Sequence, residues 1–161
     1  PKSELLQSMI EAYVMEKGTR EFYAEAGRKA SDAEARKAFN QLSQWEHEHM
    51  LYIQFLYQSF MDEKTTMTFE EFEKKVRPDI DEGGMPIDKM REKFETGNFV
   101  DDLGALAVAL EIEGKAYQLY RKLSESVEDT NTKEFMKDMM HLEEKHLAYL
   151  KELRYRMRET S

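Results

Sequence analysis

Apolar residues recur at three- and four-residue spacing in four stretches of the chain, the pattern of amphipathic helices. In the first, Leu6, Met9, Tyr13, Glu16, Tyr23 and Ala30 share a face, which predicts a helix from about Ser3 to Ala30 with one acid in its inward stripe. A capping box of Ser31 and Glu34 predicts the start of a second helix, whose stripe of Phe39, Leu42, Glu46, His49, Ile53, Leu56 and Phe60 runs to about Met61. A third helix is expected from Val100 or Asp101, with Leu103, Leu106, Leu110, Glu113, Ala116, Tyr120 and Leu123 on one face. Asn131 with Glu134 offers the cap of a fourth, which carries Phe135, Met139, Leu142, Glu143, His146, Leu150 and Leu153. The connections inside each pair are a few residues long, so each pair should be an antiparallel hairpin.

The two hairpins are one design used twice. Glu16 and Glu113, Glu46 and Glu143, and His49 and His146 all stand 97 residues apart, as do Tyr23 and Tyr120, Phe22 and Leu119, Tyr52 and Tyr149, Ile53 and Leu150, and Leu56 and Leu153. A two-fold repeat predicts a pseudo-symmetric single domain, since a solenoid needs more units. Between hairpins 3–61 and 100–158 lies a crossover, 62–99, that is too long for a plain loop in a compact domain. It contains Gly83-Gly84, a capping box of Thr68 and Glu71 ahead of Phe69, Phe72 and Val76, and a short amphipathic run of Ile87, Met90 and Phe94. Short helices are therefore expected there. One long crossover lets the third helix run parallel to the second, and this is the connectivity of a ferritin-like four-helix bundle.

The acids in the stripes change the picture from packing to chemistry. A lone Glu-x-x-His is a weak motif. Here Glu46/His49 and Glu143/His146 each put both residues on one helix face, and Glu16 and Glu113 come from the other two helices. That constellation, a glutamate from each of two helices and Glu-x-x-His from each of the other two, is the ligand set of di-iron carboxylate bundles. Four glutamates in an apolar core would each cost several kcal/mol if ionised and unpaired, and no Lys or Arg sits on the stripes at that level. Two divalent cations would balance the four charges, with the histidines as neutral ligands. The expected arrangement has Glu16 and Glu113 as terminal carboxylates, Glu46 and Glu143 bridging, and His49 and His146 closing the two ends. Oxygen-rich ligation with one nitrogen per metal suits iron(II) or manganese(II), while zinc or cobalt can occupy the same donors.

Tyr23 and Tyr120 stand two turns beyond the lone glutamates on the same faces. Each is placed either to hydrogen-bond a ligand carboxylate or to pack in the core with its hydroxyl satisfied elsewhere. His47 and His141 fall out of the repeat register and are expected at the rim or in solvent, as are Glu48, Glu111 and Glu144. Trp45 and the methionines are read as packing.

With 161 residues, 40% apolar and 35% charged, the chain suits one globular domain. The absence of cysteine excludes a disulfide framework, a thiolate zinc site and an iron–sulfur or rubredoxin centre within it, so any electrons must come from an external donor. A net charge of −9 and a pI near 5.1 oppose binding to nucleic acid or anionic membrane. The basic residues Arg154, Arg156 and Arg158 read as a solvated helix end. No apolar run has the length of a transmembrane helix, and Pro1-Lys2-Ser3-Glu4 lacks the apolar stretch of a signal peptide, so a soluble cytoplasmic protein is expected. No glycine-rich phosphate loop, nucleophile elbow or serine–histidine–acid pattern is visible.

The segments Glu16-Lys17-Gly18 to Phe22-Tyr23 and Glu113-Gly114 to Leu119-Tyr120, with Trp45-Glu46-His47-Glu48-His49 and Leu142-Glu143-Glu144-Lys145-His146, resemble the ligand segments of the rubrerythrin branch of the ferritin-like superfamily. The resemblance covers both hairpins. It implies a non-haem di-iron protein, commonly dimeric, that reduces hydrogen peroxide, with related bundles oxidising iron(II) or activating dioxygen. Apolar faces left over after one bundle forms leave room for a homodimer. The chain departs from the family pattern in lacking the cysteine-ligated rubredoxin-like domain and in carrying Ala116 where typical rubrerythrins have a further glutamate. The expected function is an oxidoreductase reacting with peroxide or dioxygen and fed by an external carrier such as a rubredoxin-like protein. The alternatives are an iron-binding or ferroxidase protein with no dedicated organic substrate, and a bundle whose metals are purely structural.

Overall fold

The computed structural model describes residues 2–61 and 101–160, and among them it is all helix with no strand. Four helices are present there: α1 (Lys2–Lys29), α2 (Ala33–Phe60), α3 (Asp102–Ser126) and α4 (Thr130–Thr160). This is the helix set that a four-helix bundle requires. The expected crossover 62–99, with its Thr68–Glu71 cap and its short helices, lies outside the described residues, as do Val100 and the side chain of Phe60.

The helices form two hairpins. Along α1 and α2 the partners run in opposite directions: a Cβ at Gly27 would collide with the Asn40 side chain, Ser43 Oγ donates to Arg20 O at 3.3 Å, and Glu16 faces His49. Rising residue number on one helix meets falling number on the other, so the pair is antiparallel. The α3 and α4 helices pack on each other across a three-residue link, with Glu113 meeting His146.

The helix starts correct the expected caps and do so in the repeat register. The cap of α2 is Asp32, whose side chain accepts from Ala35 N at 2.9 Å while its carbonyl accepts from Arg36 N. The cap of α4 is Asp129, which accepts from Thr132 N at 2.8 Å while its carbonyl accepts from Lys133 N. Ser31 and Asn131 are thus not the caps, because the short carboxylate of a neighbouring aspartate reaches the exposed amides instead. Asp32 and Asp129 are themselves 97 residues apart. The preceding helix ends match as well, with Ala30 N donating to Ala26 O and Val127 N to Leu123 O, again at an offset of 97.

Hydrogen bonds donated by Thr132, from its backbone amide first and then from its hydroxyl, hold the Asp129 carboxyl below its ordinary range. A depressed carboxyl stabilises the fold above the unfolded-state pKa, and that contribution is lost as pH falls through the folded value. Asp129→Ala should therefore lower the melting temperature near neutral pH, and its deficit against the parent should close in acid. A thermal melt series from neutral to acidic pH would show this, and a constant deficit would remove the carboxylate's role.

The α1–α2 turn is fixed further by contacts made at the start of α3. Asp102, itself buried, accepts from Ser31 N at 3.2 Å, from Ser31 Oγ at 3.3 Å and from Asp32 N at 2.7 Å. Arg156 of α4 pairs with Glu34 of α2, so this member of the basic helix end does more than face water.

The chain divides into two compact units, and α1 and α2 contribute to both. In one unit, α1 up to Ala24 and α2 from Gln41 bury Met9, Tyr13, Phe22, Tyr23, Leu42, Met50 and Ile53. In the other, Glu25–Asn40 with α3 and α4 bury Phe39, Leu106, Tyr120, Met136, Met139, Leu150 and Leu153. Each such side chain contributes about 1.5–3 kcal/mol when fully removed from water. Leu6, Leu56, Leu103, Leu110, Leu123 and Leu142 from the expected stripes are only half-buried. Leu5 and Ala105 lie deeper than their neighbours Leu6 and Leu103, because a straight helix drifts off any fixed three-four spacing.

Candidate metal centre

Each unit contains one complete half of the expected ligand set. In the first, α1 supplies Glu16, and α2 supplies Glu46 and His49 from one face, one turn apart. The hairpin sets them at the same height. His49 Nδ1 stands 3.5 Å from Glu16 Oε2 and 3.5 Å from Glu46 Oε2, so one nitrogen and two carboxylates converge.

In the second unit, α3 supplies Glu113, and α4 supplies Glu143 and His146. His146 Nδ1 lies 3.2 Å from Glu113 Oε1, close enough to donate a hydrogen bond to it, and 3.9 Å from Glu143 Oε2. All six side chains are buried, and none of the four glutamates is more than 1% exposed. In both halves the ring nitrogen turned toward the carboxylates is Nδ1.

In each unit the converging donors are one imidazole nitrogen and two carboxylates, all of them buried. The donor chemistry fits a divalent cation, with carboxylate oxygen and imidazole nitrogen and no sulfur. Glu143 supplies the sharpest test of fit. Both of its oxygens are buried without a hydrogen-bond partner, although a carboxylate removed from water ordinarily demands partners or a cation.

Tyr23 and Tyr120 are fully buried on the same helices as Glu16 and Glu113, and the Tyr23 ring meets Phe22 edge to face with centroids 5.6 Å apart. The residues expected away from the centre are away from it. His141 is exposed and stands 3.6 Å from Glu144, while Glu48 and Glu111 are also exposed. His47 is half-buried. Burial, followed by the charge of Arg20, pushes its pKa down against the opposing pull of Glu48.

One residue that the apolar stripes did not single out is Thr19. It is buried one turn after Glu16, its hydroxyl donates to Met15 O at 2.9 Å, and it occupies the repeat position of Ala116. The repeat register was the signal that could have found it. Ala116 is buried one turn after Glu113, so that position of the second half holds a methyl group.

Comparison of the chain with protein-family models, with curated proteins and with solved structures gave no match.

Proposed function

We propose that this protein is a ferritin-like, rubrerythrin-related oxidoreductase in which Glu16, Glu46, His49, Glu113, Glu143 and His146 hold two metal ions that react with hydrogen peroxide or dioxygen. The observation that carries the reading is the repeated half-site, two buried carboxylates around one histidine Nδ1 in each unit. In this reading the hairpins would close into one bundle through a single crossover, and Glu46 and Glu143 would help to hold both ions. Iron is the favoured metal, with manganese or zinc as possible occupants of the same oxygen and nitrogen donors. A bound metal pair would supply two electrons to an oxygen–oxygen bond and act as a Lewis acid toward its oxygens.

The chain's own residues would do the rest. The buried carboxylates would balance the charge of the ions. Burial excludes bulk water, which strengthens every electrostatic contact at the site. Tyr23 and Tyr120 would fix the orientation of ligand carboxylates through their hydroxyls. Reduction of one peroxide to two waters consumes two electrons and two protons. Since the chain has no cysteine, the electrons would come from a separate one-electron carrier such as a rubredoxin-like protein.

The test is stopped-flow optical spectroscopy on anaerobically reduced, iron-loaded protein mixed with peroxide. Oxidation of two irons per chain, faster than for free iron(II), is expected, and Glu113→Ala should slow it at least a hundredfold. No spectral change, or a rate no greater than that of free iron, would sink the reading.

Ala116 favours a second reading. With a methyl group where typical rubrerythrins place another carboxylate, one ligand needed for their redox-linked rearrangement is missing from that position. Iron(II) oxidation or buffering without a dedicated reductant would not need it. Reaction with dioxygen but only slowly with peroxide would select this alternative. A homodimer is proposed with either reading. Among the described residues no helix is long and apolar enough to cross a membrane.

A further inference from the structure

We infer that the two halves of the centre are inequivalent and fill in order, the Glu16/Glu46/His49 half before the Glu113/Glu143/His146 half. The inference rests on the two-ion reading above and deepens it. Metal–nitrogen and metal–oxygen bonds to such ligands are about 2.0–2.2 Å, so ligand atoms sharing one ion stand roughly 3–3.5 Å apart.

The first half meets that condition at both contacts, since His49 Nδ1 lies 3.5 Å from each of its two carboxylates. An ion entering there would find the nitrogen already at ligand spacing from both carboxylates. The second half is split. His146 Nδ1 is drawn to Glu113 at 3.2 Å and stands off from Glu143 at 3.9 Å, while the Glu143 oxygens have no hydrogen-bond partner. Binding there must bring Glu143 closer to His146, and that adjustment opposes binding. Preorganisation favours the first half.

The surroundings differ in the same sense. The position one turn beyond the terminal glutamate is a buried threonine in the first half and a buried alanine in the second. That position therefore carries a hydroxyl in the first half, donating to Met15 O, and a methyl group in the second.

Manganese(II) is the probe, titrated into metal-free protein and followed by the electron paramagnetic resonance signal of the free ion. The parent should bind two ions per chain in two steps, with the first at least tenfold tighter. His146→Ala should keep the tight step and lose the weak one, and His49→Ala should lose the tight step. Glu16→Gln and Glu113→Gln, which preserve side-chain shape, should repeat the contrast, and circular dichroism would confirm that each variant is folded. Two ions bound in a single step, or a tight step that survives His49→Ala and disappears in His146→Ala, would overturn the order of filling and leave the two-ion reading standing. A parent that binds no manganese would overturn both.

Discussion

Loading with two divalent ions should raise the thermal midpoint of this protein by roughly 15–30 °C over the chelated form. A ligand that binds only the folded state stabilises it by about 4 kcal/mol at a thousandfold excess over its dissociation constant. For a chain of this length each kcal/mol moves the midpoint by about 2–4 °C, so two ions give the stated range. The sequence concentrates the effect, because four glutamates that are at most 1% exposed have lost water, a loss that bound cations would offset. Calorimetry with chelator, and then with excess manganese or anaerobic iron(II), measures it. The gain should shrink as pH falls, since protons compete with the ions for imidazole and carboxylate. A shift of under about 3 °C at neutral pH would mean that the buried acids are not waiting for a metal.

Glu143→Met should act in opposite directions on the two forms. In the chelated protein it removes a buried carboxylate whose oxygens lack hydrogen-bond partners and substitutes an unbranched apolar side chain of similar length with good helix propensity. Replacing buried charge by well-packed apolar groups is often neutral or stabilising by about 1–4 kcal/mol, and with both oxygens unsatisfied the upper part of that range is expected. In the loaded protein the same change deletes a proposed ligand, so bound metal should fall below two per chain and most of the thermal gain should vanish. Urea unfolding with chelator and elemental analysis after reconstitution give the two readouts. A chelated variant less stable than its parent would show that Glu143 makes favourable contacts in the metal-free fold, contrary to the proposed role of a ligand held ready at a cost. Such a cost in stability is a common accompaniment of a functional site.

Much of this arrangement was legible in the sequence, because helix periodicity and a repeat offset are properties of single residues. Glu16, Glu46, His49, Glu113, Glu143 and His146 all share the burial that their stripes predicted, and each trio meets as its hairpin predicted. The caps were less legible. A search for Ser, Thr or Asn three residues before Glu selected Ser31 and Asn131, although Asp32 and Asp129 keep the repeat register and the selected pair does not. Contacts between distant segments were not legible at all. Nothing in the surroundings of Arg156 or Asp102 announces that they will meet Glu34 and Ser31, since such pairings depend on how the helices pack. The unequal spacing around His49 and His146 is of the same kind. Two segments with the same ligand residues differ by tenths of an ångström that their packed neighbours decide.

The reach of Asp102 also bears on the order in which the chain folds. Each hairpin closes over a three-residue link, so its helices can find each other within microseconds. The bonds from Ser31 and Asp32 to Asp102 join positions 71 and 70 residues apart, and closing so long a loop carries an entropic charge that grows with the logarithm of its length. They are therefore among the last contacts made and the first released. The α1–α2 turn acts as a kinetic latch, free while its own hairpin forms and fastened only once the beginning of α3 has arrived.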